Sequence, residues 1–177
     1  GGKPMTVARW PNEGFTDIAG AGEADPAGDG HGGKIGKLDA GFHYGGDRPR
    51  RWKIREGIWV HGYWAWDWAN SYEEVASIDL EKRLIRTKPP HGLYGFRAGQ
   101  RFYFLNVLEE LDAPGEYFVD ARSGKLYFWP PAPVEGGEAL VSLLEVPLVS
   151  FDGASHVTLR GLVLESSRGD GVRVTGG

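Results

Sequence analysis

The chain has 177 residues, of which 28 are glycine, 11 are proline and 41% are apolar, enough for one domain or one and a fraction, with a sizeable core and many turns. Its 20 Lys and Arg against 24 Asp and Glu give a net charge of −4, which argues against a nucleic-acid surface, because such surfaces are usually basic. The absence of cysteine excludes disulfides, thiolate catalysis and Cys-ligated zinc, and no apolar run approaches the ~20 residues of a membrane-spanning helix.

The opening Gly1-Gly2-Lys3-Pro4-Met5 has neither an initiator methionine nor a charged-then-apolar leader. It reads as the start of a processed chain or of a piece cut from a longer one. Residues 20–47 carry glycine at about every third position with no apolar periodicity, and are expected to form a long surface loop. Gly28, Gly30 and Gly33 match G-x-G-x-x-G, but no apolar strand precedes them and no helix follows, so the dinucleotide reading is discarded.

Further along, residues 58–69 (IWVHGYWAWDWA) are rich in strand formers, and residues 71–87 read as a hairpin turning at Leu80-Glu81-Lys82-Arg83. Residues 101–106 form another predicted strand, and residues 108–112 a single helical turn stopped by Pro114 and Gly115. The clearest hairpin spans residues 116–130: Tyr117–Asp120 and Lys125–Trp129 flank Ala121-Arg122-Ser123-Gly124, and Pro130-Pro131 ends it. From Ala139 onward short apolar triplets alternate with small polar turns. Val157/Leu159, Leu162/Leu164 and Val172/Val174 provide inward pairs at corners such as Arg160-Gly161, the pattern of one coil of a parallel β-solenoid. A coil cannot bury its faces alone, so this pattern implies that the chain is the front part of a longer protein.

Four stretches together, GKPMTVARWPNEGF, HGYWAWDWANSYEEVASID, RFYFLNVLEELDAPGEYFVDARSGKLYFWPP and VSFDGASHVTLRGLVLESSRGDGVRVTGG, resemble the right-handed parallel β-helix proteins of the pectate-lyase-like superfamily. The resemblance implies an all-β chain: residues 1–138 as an inserted β-rich subdomain with hairpins, and residues 139–177 as the first coils of the helix. It also implies the N-terminal portion of a secreted polysaccharide-degrading protein, a glycoside hydrolase or polysaccharide lyase, located extracellularly, in the periplasm or at the cell surface. In that superfamily the catalytic acids sit on later coils, so no catalytic residue is assigned and the chain alone is expected to be inactive. The expected partners are a polysaccharide or oligosaccharide and the remainder of the β-helix, with neither nucleic acid nor membrane. The competing readings are a non-catalytic carbohydrate-binding module and a structural or adhesive surface β-helix.

Trp64, Trp66 and Trp68 alternate with Ala65 and Asp67. In an extended strand the three indoles share one face at about 7 Å spacing, as a platform for sugar rings or as packing. The area a buried indole removes from water favours packing for at least two of the three. Asp67 is a sugar-hydroxyl acceptor or, more simply, a carboxylate bonded to backbone N–H groups. Arg168 and Asp170 stand at a glycine-flanked corner, where they would face a groove along the solenoid. The acidic run Glu109-Glu110-Leu111-Asp112 is read as structural, because adjacent residues on one turn seldom converge on one substrate in the way glycoside hydrolysis needs. The five histidines show no metal-ligand spacing, so no cofactor is expected; Asp25 and Asp29 are the residues to which a calcium ion would turn, without a D-x-D-x-D-G run to support it.

Overall fold

Alternation of apolar and polar residues makes half-buried strands, and in the computed structural model, which describes residues 2–176, these strands close on themselves. The unit Met5–Ala132 contains β1 (Thr6–Val7), β2 (Arg9–Trp10), β3 (Thr16–Ala21), β4 (Phe42–Tyr44), β5 (Trp59–Tyr63), β6 (Asn70–Asp79), β7 (Leu84–Thr87), β8 (Arg101–Leu105), β9 (Glu116–Asp120) and β10 (Lys125–Phe128). Six of them form a closed antiparallel barrel in the order β3-β4-β7-β6-β5-β8, with β8 returning to β3. Strand β8 makes the closure. One edge pairs with β5 from Trp59↔Leu105 to Gly62↔Phe102, and the other is shared between β2 (Trp10↔Phe104) and β3 (Thr16↔Phe102).

Period two decides what fills the barrel. Phe102 and Phe104 of β8 point inward and are fully buried, whereas Arg101, Tyr103 and Leu105 between and beside them are not. Phe42 meets Phe96 at 4.7 Å and Phe102 at 4.9 Å between ring centroids, and Trp52 meets Phe104 at 4.8 Å. Each such aromatic removes roughly 150–250 Å² from water, about 4–6 kcal/mol gross at ~25 cal/mol/Å². Entry into β4 needs glycine. Gly41 has φ +76°, and a Cβ there would lie 1.9 Å from the Ile85 carbonyl oxygen of β7.

Outside the barrel, β9 pairs in parallel with β1 and antiparallel with β10 through Asp120↔Lys125 to Tyr117↔Phe128. The hairpins expected at residues 71–87 and 116–130 are therefore present, as are the strand at residues 101–105 and a 3-10 turn at Leu108–Glu110. Two expectations in this unit need correction. The stretch 20–47 is not wholly loop, since it includes the end of β3 and all of β4, whose Phe42 and Tyr44 are buried. The strand expected at residues 58–69 stops at Tyr63, where the chain turns through Trp66–Ala69 (Ala69 N–H to the Trp66 carbonyl, 3.1 Å) to enter β6.

In the second unit, residues 2–4 with 133–176, β11 (Val149–Asp152) pairs in parallel with β12 (Val172–Thr175) in register Val149↔Val172 to Asp152↔Thr175. The intervening apolar pairs Val157/Leu159 and Leu162/Leu164 are exposed and belong to no strand. The solenoid expectation is overturned, and with it the resemblance to the pectate-lyase-like β-helix proteins: the chain is all-β, and its Met5–Ala132 unit holds a closed antiparallel barrel. Apolar triplets at corners supply side chains suited to strands, but a strand also needs a hydrogen-bonded neighbour. Among the described residues of this stretch only 149–152 and 172–175 have one. The glycoside-hydrolase and lyase readings drawn from that resemblance lose their support. No helix among the described residues is long and apolar enough to cross a membrane.

Candidate functional site

The chain's change of direction after β5 separates the three tryptophans that an extended strand would have aligned. Trp64 turns into the barrel and is 3% exposed, 5.5 Å from Phe42 and 5.4 Å from Phe96 between centroids. Its ring lies over Gly62, where a Cβ would come within 2.5 Å of it, and its Nε1–H donates to Ser71 Oγ at 2.7 Å. Trp66 is half-buried and Trp68 is 68% exposed. Their rings are nearly parallel, 13° apart in plane with centroids at 6.5 Å, and Trp68 meets Tyr94 edge-on at 5.2 Å. Packing therefore claims one indole fully, not the two expected.

Trp66 and Tyr94 line an open cleft of about 520 Å³, together with Asp25, Asp29, Asp39, Lys37 and His91 and neighbouring residues of the stretches 35–38 and 93–95. One wall comes from the glycine-rich stretch, which is an ordered excursion between β3 and β4. Backbone bonds cross it at Gly22–Gly41 (2.8 Å), Asp25–Ile35 (2.9 Å) and Asp29–Gly33 (3.1 Å). Gly36 exchanges hydrogen bonds of 2.7 and 3.2 Å with Phe96, which fastens the excursion to the barrel. At its tip, Asp29 Oδ1 accepts the N–H groups of His31 (2.8 Å) and Gly33 (2.7 Å), and Oδ2 accepts Arg97 Nη2 at 2.5 Å. The His31 and Gly33 amides hold the Asp29 carboxyl below the usual carboxylate range, and Arg97 adds to this. The Arg97 guanidinium also lies 4.3 Å over the Trp66 ring, and its backbone N–H donates to the Trp64 carbonyl at 2.8 Å.

Behind the His91 wall lies a buried carboxylate. Glu73 of β6 is 3% exposed; Oε1 accepts Ser71 Oγ (2.6 Å) and Gly92 N–H (2.9 Å), while Oε2 has no hydrogen-bond partner and stands 4.0 Å from His91 Nδ1. His91 Nδ1 is also 3.0 Å from Thr87 Oγ1.

The other sequence candidates are engaged elsewhere. Asp67 is exposed and ion-paired to Arg101, not bonded to backbone amides as expected. Arg168 pairs with Glu145 at 2.8 Å and Asp170 with Arg173 at 2.9 Å, both within the second unit. The acidic run is structural: Arg55 holds Glu109 at 2.8 Å, and Arg48 holds Glu110 at 2.6 Å and approaches Asp112 at 3.7 Å. Among the described residues no group of three or more His, Asp or Glu gathers closely enough to hold a metal ion, and Asp29 of the calcium pair is bound to Arg97. Sequence reading missed Asp39, Glu73, His91, Tyr94 and Arg97. Each is an isolated residue in a loop or strand, and only the folded barrel brings them to one place. No family model, curated protein or solved structure matches the chain.

Proposed function

We propose that the barrel unit is a non-catalytic saccharide-binding module and that the Trp66–Tyr94 cleft is its binding site. The observation that carries this reading is the aromatic surface left open at and beside the cleft: a half-buried Trp66 and Tyr94 in its lining next to carboxylates, and Trp68, 68% exposed, against both rings. Leaving indole surface in water is costly for a chain that has the means to bury Trp64 completely. The C–H face of a sugar ring stacks on such a surface, while its hydroxyls donate to carboxylate oxygens. A cleft of about 520 Å³ lies within the ordinary size of small-ligand sites and takes a short oligosaccharide segment. Glu109 and Glu110 of the densest acidic run are tied to Arg55 and Arg48 and do not line the cleft, so they offer it no acid pair. Such a module fits a protein that works on polysaccharide outside the cell.

Affinity gel electrophoresis against a panel of neutral, acidic and amino polysaccharides tests the reading. Retardation by at least one polymer is expected, reduced about tenfold or more in Trp68→Ala with unchanged thermal unfolding. Absence of retardation across the panel, or retardation untouched by Trp66→Ala and Trp68→Ala, overturns it.

A further inference from the structure

The charges on the cleft do not balance. Its ammonium, Lys37, is hydrogen-bonded and ion-paired to Glu23, which raises the Lys37 pKa; Asp39 and Asp25 lie close enough to raise it further. Three carboxylates thus surround one ammonium. Asp25 and Asp39 both line the cleft, and neither has a cation within ion-pair distance among the described residues. Asp25 only accepts the Ala27 N–H at 2.9 Å, while Asp29 is already matched by Arg97.

The buried Glu73 carboxylate is an independent sign of the same imbalance. One of its oxygens has no hydrogen-bond partner among the described residues and stands 4.0 Å from Nδ1 of a cleft-lining histidine, in a setting where water screens little. Thr87 Oγ1 and Glu73 Oε2 both lie on the Nδ1 side of His91, at 3.0 and 4.0 Å. The cleft is rich in acceptors and negative charge beside exposed aromatic faces. That combination suits a cation carried on a ring that can stack.

We infer that the cleft selects saccharides bearing protonated amino groups, an inference that rests on the saccharide reading above. The hexosamine ring stacks against the aromatic surface, and its ammonium groups are held by Asp25 and Asp39. N-acetylation removes the charge and forfeits that contact.

Titration calorimetry of the whole chain against β-1,4-linked hexamers of glucosamine, N-acetylglucosamine and glucose is the test. The glucosamine hexamer is expected to bind about tenfold tighter than the other two, and the gap should narrow at about 0.5 M salt. Replacing both carboxylates (Asp25→Asn with Asp39→Asn) should shrink the preference about fivefold or more, with the glucosamine hexamer weakened far more than the glucose hexamer. Equal binding of all three hexamers overturns the inference and leaves the saccharide reading standing; binding of none overturns the inference, and the polysaccharide panel above then decides the saccharide reading. A preference that persists in the double variant also overturns the inference, because the net charge of −4 would then account for it.

Discussion

Arg48 and Glu110, 62 residues apart, are joined by two parallel hydrogen bonds of 2.7 and 2.6 Å. The Glu110 side chain is 1% exposed and also accepts Trp52 Nε1–H at 2.5 Å, so its charge is answered by a guanidinium and an indole at once. Removing one partner of a buried pair leaves the other uncompensated, so Arg48→Ala should lower the unfolding free energy by about 3–5 kcal/mol. Urea denaturation measures it. A loss under about 1 kcal/mol would mean that solvent already reaches the Glu110 carboxylate.

Trp64 and Trp68 should respond to truncation in opposite ways. Trp64 is embedded between Phe42 and Phe96, so Trp64→Ala should cost about 3–5 kcal/mol. Trp68 is largely in water, and Trp68→Ala should change stability by under about 1 kcal/mol. Thermal unfolding of the two variants side by side separates them, and comparable losses would refute the assignment of Trp64 alone to the core.

Stability should fall with acidification in two stages. Burial pushes the His61 pKa down against the opposing hydrogen bond that its Nε2–H donates to Asn70 Oδ1, so the native state favours the neutral ring. The unfolded chain takes up that proton near the ordinary ~6.5, so the contribution is complete above ~6.5 and lost as pH drops toward the lower native value. Asp29, held down by the His31 and Gly33 amides, and Asp79, held down by the Lys82 amide, act further down the scale. Their contribution is present above the ordinary carboxylate value of ~4 and lost as pH falls through their depressed values. Urea midpoints measured from about pH 8 to pH 3 should show both stages, with His61→Asn removing only the upper one. A midpoint that does not move between neutrality and about pH 5 contradicts the His61 assignment.

The hairpins were legible because their signals are local: alternation in Tyr117–Asp120 and Lys125–Phe128 with a positive-φ Gly124 between them. The closure was not. It depends on β8 pairing with β5 some forty residues earlier and with β3 far upstream, and no periodicity within Arg101–Leu105 names either partner. The tryptophan triplet misled because period two applies only while the chain stays extended, and here it turns at Trp66. Composition marked residues 20–47 as loop, which hid the short strand Phe42–Tyr44 and the Asp29–Arg97 contact that gives the excursion its place. Trp66 and Trp68, at and beside the cleft, are legible in the sequence as members of an aromatic triplet. Asp39 and His91 are not, since a lone acid or histidine in a loop carries no spacing to read.

The fastening of the glycine-rich excursion has a kinetic side. A free stretch with so many glycines samples a very wide set of conformations, and a ligand that had to gather it would bear that loss of entropy at the moment of capture. Here the bonds between Gly36 and Phe96 and between Asp29 and Arg97 settle the loss during folding. The cleft wall is preorganised. A saccharide taken by the proposed cleft is expected to bind in a single kinetic phase, with an association rate that follows its concentration linearly and no slow ordering step behind it.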